Sequence, residues 1–213
     1  MPSTPRSVKI GDTERSGWSS ERPRRPGEPE RPPRPLDVSV RGRVLAPSDS
    51  LRYQPGSLLL VVSPDRGLAL GFCERALADK NALLSLTKVR GMLQGRVGED
   101  ELEAKARALV DAAAGKRLAS GQTVVIALES LDPAEREHYV RMAAPHRRPR
   151  HLILLEAGKE NVAEEDRAVL SELRTTLDAG GLGHEGFATS LRLGGRTIAE
   201  LKRILFAPPP ADD

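Results

Sequence analysis

The sequence predicts an α/β protein: a three-layer α/β/α sandwich around a mostly parallel sheet. Short runs of wholly apolar residues alternate along the chain with longer amphipathic stretches. Strands that are apolar at every position are buried on both faces, which is typical of parallel sheets covered by helices. Aromatic residues make up only 3% of the chain, so leucine, valine and alanine must fill the core.

The apolar runs and the helical stretches between them define the predicted elements. Strands are predicted at Leu58–Val62, Ala82–Leu86, Thr123–Leu128, His151–Leu155 and Thr189–Leu193. Helices are predicted at about 70–80, 87–94, 99–119, 133–144, 163–179 and 197–206. Asp132 and Thr197 each stand three residues before a glutamate and are predicted to cap helices. Because Thr123–Leu128 is apolar throughout, we expect it at the centre of the sheet.

A proline-rich segment precedes this pattern. Residues 1–35 hold 8 of the 17 prolines and few apolar side chains, which predicts a disordered tail. The stretch Arg22–Pro35 could alternatively dock as a polyproline II ligand onto an aromatic groove. The body is expected to span residues 36–207, with a disordered C-terminus at 208–213.

The charge distribution indicates which kinds of partner to expect. The net charge of +3 comes from residues 1–35, with 8 basic against 5 acidic side chains, whereas residues 36–213 hold 25 of each. A neutral body gives little general support for nucleic-acid binding. The single cysteine, Cys73, excludes an internal disulfide, and no apolar run approaches the roughly 20 residues of a membrane helix. We therefore expect a cytoplasmic protein without a membrane partner, with Cys73 as a small core side chain.

The first predicted strand leads into what should be a phosphate-binding loop. In the pattern G-x-x-x-x-G-K-[ST], backbone N–H groups and the lysine hold the phosphates and the hydroxyl holds Mg²⁺. When this chain is aligned with that pattern, Ala69 occupies the lysine position and Leu70 occupies the serine or threonine position. Neither side chain can neutralise a triphosphate. The residues assigned to this degenerate loop are Ser63, Asp65, Arg66, Gly67, Ala69 and Leu70.

From about Tyr53 to Leu205, the order of segments resembles the P-loop kinase-like proteins related to polynucleotide kinase and zeta-toxin kinase domains. These proteins are often described as AAA-family ATP-binding proteins, and the resemblance implies a P-loop NTPase-like fold. Their loop reads G-P-x-G-x-G-K-S-T-F, of which this chain keeps Pro64 and Phe72.

Three further family elements are altered here. Where the resemblance implies an aspartate that activates the acceptor hydroxyl, this chain has Thr87, although Arg90 of the following helix is kept. Ala127 stands at a second acidic position, and Glu129 is the nearest carboxylate, although residues at that strand spacing should lie well apart. The segment 156–162, which corresponds to an arginine-bearing lid, contains no arginine. Thr87, Arg90 and Glu129 are the candidate substrate-binding residues.

These losses predict a catalytically degenerate P-loop kinase-like protein that acts as a binding or regulatory scaffold for a protein partner. No catalytic or metal-binding residue is assigned, and weak ATP binding is the only cofactor left open, because helix N-terminal N–H groups do not depend on side chains.

Two alternatives stay open at this point. An active ATP-dependent kinase could phosphorylate a polynucleotide 5′-hydroxyl or a small hydroxyl substrate, with Arg66, Lys88, Arg90 and Glu129 as its working groups. A nucleic-acid-binding module could use the basic cluster His146–His151.

Overall fold

The computed structural model describes residues 50–208. The predicted tail 1–35, residues 36–49 of the predicted body and residues 209–213 of the predicted C-terminus 208–213 lie outside them. The described chain is a three-layer α/β/α sandwich with parallel strands, as predicted. Its strands are β1 Ser50–Tyr53, β2 Leu58–Val62, β3 Leu83–Leu84, β4 Val124–Ala127, β5 Arg150–Leu155, β6 Thr189–Leu193 and β7 Arg203–Phe206. Its α-helices are α1 Arg66–Ala76, α2 Leu86–Leu93, α3 Glu99–Ala119, α4 Pro133–Ala143, α5 Asp166–Asp178 and α6 Arg196–Glu200.

The main sheet has five parallel strands in the order β3-β4-β2-β5-β6. Strand β2 is central and pairs with β4 on one side and β5 on the other. The prediction that Thr123–Leu128 is central is therefore wrong by one strand: β4 is an interior strand between β3 and β2. Both β2 and β4 are apolar at every position, which marks burial on both faces, so composition alone does not show which of the two is central.

Each face of the sheet has its own apolar layer. Leu58, Leu60 and Val62 of β2 pack with the buried residues of α3, α4 and α5, whereas Leu59 and Val61 pack with α1 and α6. All five side chains of β2 are fully buried. Burial on both faces explains why the strand is apolar at every position.

The small sheet formed by β1 and β7 was not predicted. The helix expected over 197–206 ends at Glu200, and residues 203–206 form β7, which pairs in parallel with β1. Thr197 is not a cap, because α6 begins after Gly195, whose φ of 51° favours glycine. Ile204 is fully buried against the core, so tertiary packing overrides the local helical pattern here.

Helix α1 begins four residues earlier than predicted. The Oδ1 atom of Asp65 accepts the Leu68 N–H at 3.1 Å, so Asp65 is the N-cap and the helix starts at Arg66. Asp132 caps α4 as predicted, accepting the Ala134 N–H at 2.9 Å. Within residues 50–208, no helix is long and apolar enough to cross a membrane.

Candidate functional site

A crevice opens at the carboxyl ends of β2 and β4, where the topology changes direction. The connection after β2 leads to β3 on one side of the sheet, whereas the connection after β4 leads to β5 on the other side. Helices α1 and α4 accordingly cover opposite faces of the sheet. In open α/β sheets, ligands bind in the crevice at such a switch point. The fold therefore marks this edge as the candidate site.

The predicted phosphate loop lies at this edge, but it is short, and a carboxylate of the chain itself occupies its anion position. Only three residues, 63–65, connect β2 to α1, because Asp65 caps the helix. The buried hydroxyl of Ser63 accepts the Asp65 N–H at 3.1 Å and fixes the turn. A helix N-terminus attracts anions through its free N–H groups and its dipole. Here the carboxylate of Asp65 occupies that anion position.

The remaining residues assigned to the loop are helical. Arg66 and Gly67 belong to the first turn of α1 and are exposed, which corrects their assignment to a turn. Ala69 is fully buried against the sheet, so it faces away from the crevice, in the apolar layer. Arg66 and Leu70 line the crevice, and among residues 50–208 no carboxylate pairs with Arg66.

The three candidate substrate-binding residues come together. The Thr87 hydroxyl donates to Oε1 of Glu129 at 2.7 Å, and the Arg90 guanidinium pairs with Oε2 of the same carboxylate. Strand β4 ends at Ala127, so Glu129 lies beyond the strand, and its side chain reaches Thr87 and Arg90 of α2. The side chain of Glu129 is only 19% exposed.

Ion pairs extend this cluster across three helices. Arg90 also donates through Nε to Oε2 of Glu103 at 2.6 Å, and Arg107 donates to the other oxygen of Glu103 at 3.0 Å. Arg107 lies 3.5 Å from Glu135 of α4. Burial opposes the ionised form of Glu103, yet the hydrogen bonds from both arginines lower its pKa overall. We refer to Glu129, Arg90, Glu103, Arg107 and Glu135 as the ion-pair chain.

Sequence reasoning missed Glu103, Arg107 and Glu135. The charges on α3 around Glu103 and Arg107 give no sign of a site, because a helical pattern does not show what lies opposite the helix. The only available signal was the i,i+4 spacing of Glu103 and Arg107, which holds in the structure.

The crevice has a volume of about 680 Å³ and carries an excess of acid. Its walls present three arginines against five carboxylates: Arg66, Arg90 and Arg107, and Glu103, Asp111, Glu129, Asp132 and Glu135. Within the described range, no group of three or more His, Cys, Asp or Glu is arranged to hold a metal ion. A surface with more carboxylates than cationic side chains repels a triphosphate and favours a basic ligand.

The lid segment offers no free arginine to the crevice. Glu156, at its start, accepts hydrogen bonds from Arg174 and Arg192, the first through Nε at 2.9 Å. These hydrogen bonds lower the pKa of Glu156 even though burial acts in the opposite sense. Both guanidinium groups are therefore engaged by the protein's own carboxylate.

The basic cluster His146–His151 does not form one surface. Arg148 donates to the carbonyl of Leu118 at 3.2 Å, and Arg150 donates to the carbonyl of Gly186. His151 is buried between β2 and β6. Most of the cluster therefore holds loops and strands together at the sheet edge opposite the crevice.

No known protein-family model matches this chain, and a search of curated proteins finds no match either.

Proposed function

We propose that this protein is a catalytically degenerate P-loop kinase-like protein, which works as a binding or regulatory scaffold and does not transfer phosphoryl groups. The observation that supports this proposal is that the N-terminus of α1 is capped by a carboxylate of the chain itself. The Asp65 carboxylate accepts the Leu68 N–H at the position where a phosphate would bind. A second anion there would face this carboxylate at close range, which is unfavourable.

The residues around this position support the same conclusion. Ala69 and Leu70 supply neither an ammonium group nor a metal-binding hydroxyl, and Arg66 is the nearest cation. Phosphoryl transfer depends on charge stabilisation, and one arginine can be worth about 10³ to 10⁵ in rate. The other two arginines of the crevice are neutralised within the ion-pair chain. Too little positive charge is left to stabilise a transferring phosphoryl group.

The proposed partner of this scaffold is a protein that presents a basic segment. Five carboxylates against three arginines favour such a ligand over a nucleotide. The paired arrangement also keeps the crevice pre-organised, since each arginine of the ion-pair chain bridges two carboxylates.

The first test is thermal unfolding of the full chain with and without 1 mM Mg²⁺-ATP. A ligand present at 100 times its Kd stabilises a protein by about 2.7 kcal/mol, which is a shift of several degrees at this size. We expect no shift and no ATP-dependent labelling of a 5′-hydroxyl oligonucleotide. A Mg²⁺-dependent shift together with labelling would overturn the proposal and identify an active kinase.

Two matched variants sharpen this test. If labelling occurs, Glu129→Gln should abolish it in an active kinase, since Glu129 is the one carboxylate among residues 50–208 that hydrogen-bonds to Thr87. Glu137→Gln is the control, because Glu137 is exposed on α4 and pairs only with Arg141 among the described residues. Equal labelling by the two variants would assign the activity to a contaminant and leave the scaffold proposal standing.

The basic-segment partner is tested separately, by titrating a fluorescent Lys/Arg-rich peptide and an acidic peptide of the same length. We expect only the basic peptide to bind, with an affinity that falls as salt rises. Equal binding of both peptides, or of neither, would refute the acidic-crevice argument.

A further inference from the structure

A second cavity lies at the opposite edge of the sheet from the crevice. It is a half-open pocket between β1 of the small sheet and the first residues of β5 and β6, and its volume is about 520 Å³. Ligand pockets of small molecules have volumes of about 300–1,000 Å³ and mostly apolar walls. The apolar part of this wall comes from Leu51, Tyr53, Pro149, Ala188 and Leu191.

The floor of the cavity is fixed by a buried histidine. The imidazole of His151 lies 4.5 Å from the ring of Tyr53, centroid to centroid. Its Nδ1 atom is 2.7 Å from the Thr189 hydroxyl, and its Nε2 atom is 3.3 Å from the Ser57 hydroxyl. These contacts tie β1 to the main sheet, so the cavity walls are held in place.

The hydrogen-bond directions follow from the donors available. Ser57 has one hydroxyl proton and donates it to the carbonyl of Gln54 at 2.7 Å. Ser57 must then accept from His151, which places the imidazole proton on Nε2 and makes Nδ1 the acceptor of the Thr189 hydroxyl. Burial lowers the pKa of His151 to about 4, so the ring is neutral at pH 7. The floor therefore carries no charge.

The charge at this cavity is supplied by Arg52. Among residues 50–208 its wall contains no carboxylate, and Arg52 is the one permanently charged side chain there. The guanidinium uses Nη1 to donate to the carbonyl of Pro208 at 3.1 Å, and a guanidinium has five N–H donors in all. No other acceptor within the described range contacts this guanidinium, so its remaining donors can bind an anion at the rim. An apolar chamber with one cation at its mouth is complementary to an amphipathic acid.

We propose that this cavity is a binding site for a small organic acid with a flat apolar body. The body lies against Tyr53, Leu51 and Leu191, and the acidic group pairs with Arg52. This site is separate from the crevice at the carboxyl ends of the strands, so it stands whether or not the proposed scaffold function is correct.

The test uses two fluorescent probes that differ only in charge, 1-anilinonaphthalene-8-sulfonate and N-phenyl-1-naphthylamine, titrated against the native full chain. We expect one equivalent of the sulfonate to bind and the uncharged amine to bind about fivefold more weakly. This difference in affinity is what a partly exposed ion pair contributes. Equal affinity for the two probes, or no saturable binding, would overturn the proposal.

Three variants locate the probe. Arg52→Gln should weaken sulfonate binding about fivefold and leave amine binding unchanged. Arg203→Gln is the matched control, since Arg203 is an exposed arginine of the same small sheet outside the cavity. Ala188→Trp should fill the chamber and weaken both probes, with its fold checked by circular dichroism. If Arg52→Gln and Arg203→Gln lose the same affinity for the sulfonate, the charge effect is general and the site is refuted. This comparison decides the question even if Ala188→Trp does not fold.

Discussion

The buried histidine near the start of β5, His151, makes the stability of this protein depend on pH. Burial lowers the pKa of His151 to about 4, from an ordinary value of 6.5. The folded state therefore holds this imidazole neutral, whereas the unfolded chain protonates it below pH 6.5. The unfolded state binds more protons between these two values, so the free energy of unfolding falls as the pH is lowered through this window.

The size of the effect follows from the two pKa values. The loss for this one group is about 1.4 kcal/mol at pH 5.5 and about 2.5 kcal/mol at pH 4.5, relative to neutral pH. Burial of the imidazole is the structural reason for the shift, and the hydrogen bonds with Thr189 and Ser57 are formed by the neutral ring. Above about pH 7.5 this contribution is constant.

Urea unfolding of the wild type and of His151→Gln at pH 7.5, 6.5 and 5.5 measures this effect. Glutamine cannot be protonated in this range, so we expect the stability difference between the two proteins to shrink by about 1.4 kcal/mol from pH 7.5 to 5.5. His184→Gln is the control, because His184 is exposed and should leave the acid dependence of the wild type unchanged. A difference between wild type and His151→Gln that stays constant across this range would refute the reasoning.

Three further predictions concern the crevice and the core. Asp65→Ala should lower stability by about 1 kcal/mol through loss of the α1 cap, whereas Asp65→Ser keeps the cap and should cost little, as measured by urea unfolding; equal losses would contradict the capping role. Arg90→Ala should cost about 2 kcal/mol, because Glu129 loses its charged partner while only 19% exposed, and Arg96→Ala, an exposed control, should stay within about 0.5 kcal/mol in the same assay. Burial and the neighbouring Glu74 raise the pKa of Cys73 to about 12, so the native thiol should resist a disulfide reagent at pH 8 and react only on unfolding; fast labelling of the folded protein would disprove its burial.

Local sequence patterns were sufficient for most of the elements. The predicted bounds of β2, α3 and β6 agree with the structure to the residue. Apolar runs and 3.6-residue periodicity are local properties, and these segments bury a face that the pattern itself defines. Strand β7 was not predicted, because its pairing with β1 joins residues about 150 positions apart and leaves no local signal in the sequence.

The contact between the candidate site residues was not predicted. The sequence indicated Thr87 and Arg90 through the family resemblance and Glu129 as the carboxylate nearest to Ala127. Their contact depends on β4 ending at Ala127, which allows Glu129 to turn toward α2. The role of Asp65 was also missed, because a capping side chain is recognised only when the helix start is known.

The sequence alone determined the layer architecture, because burial on both faces requires strands that are apolar at every position. It also determined that Ala69 and Leu70 of α1 supply neither charge nor a hydroxyl, since no surroundings can change the chemistry of these side chains. Tertiary structure decided the strand order, the excess of acid in the crevice and the cavity around His151. Each of these depends on which distant segments meet, and that is set by packing free energy summed over the whole chain.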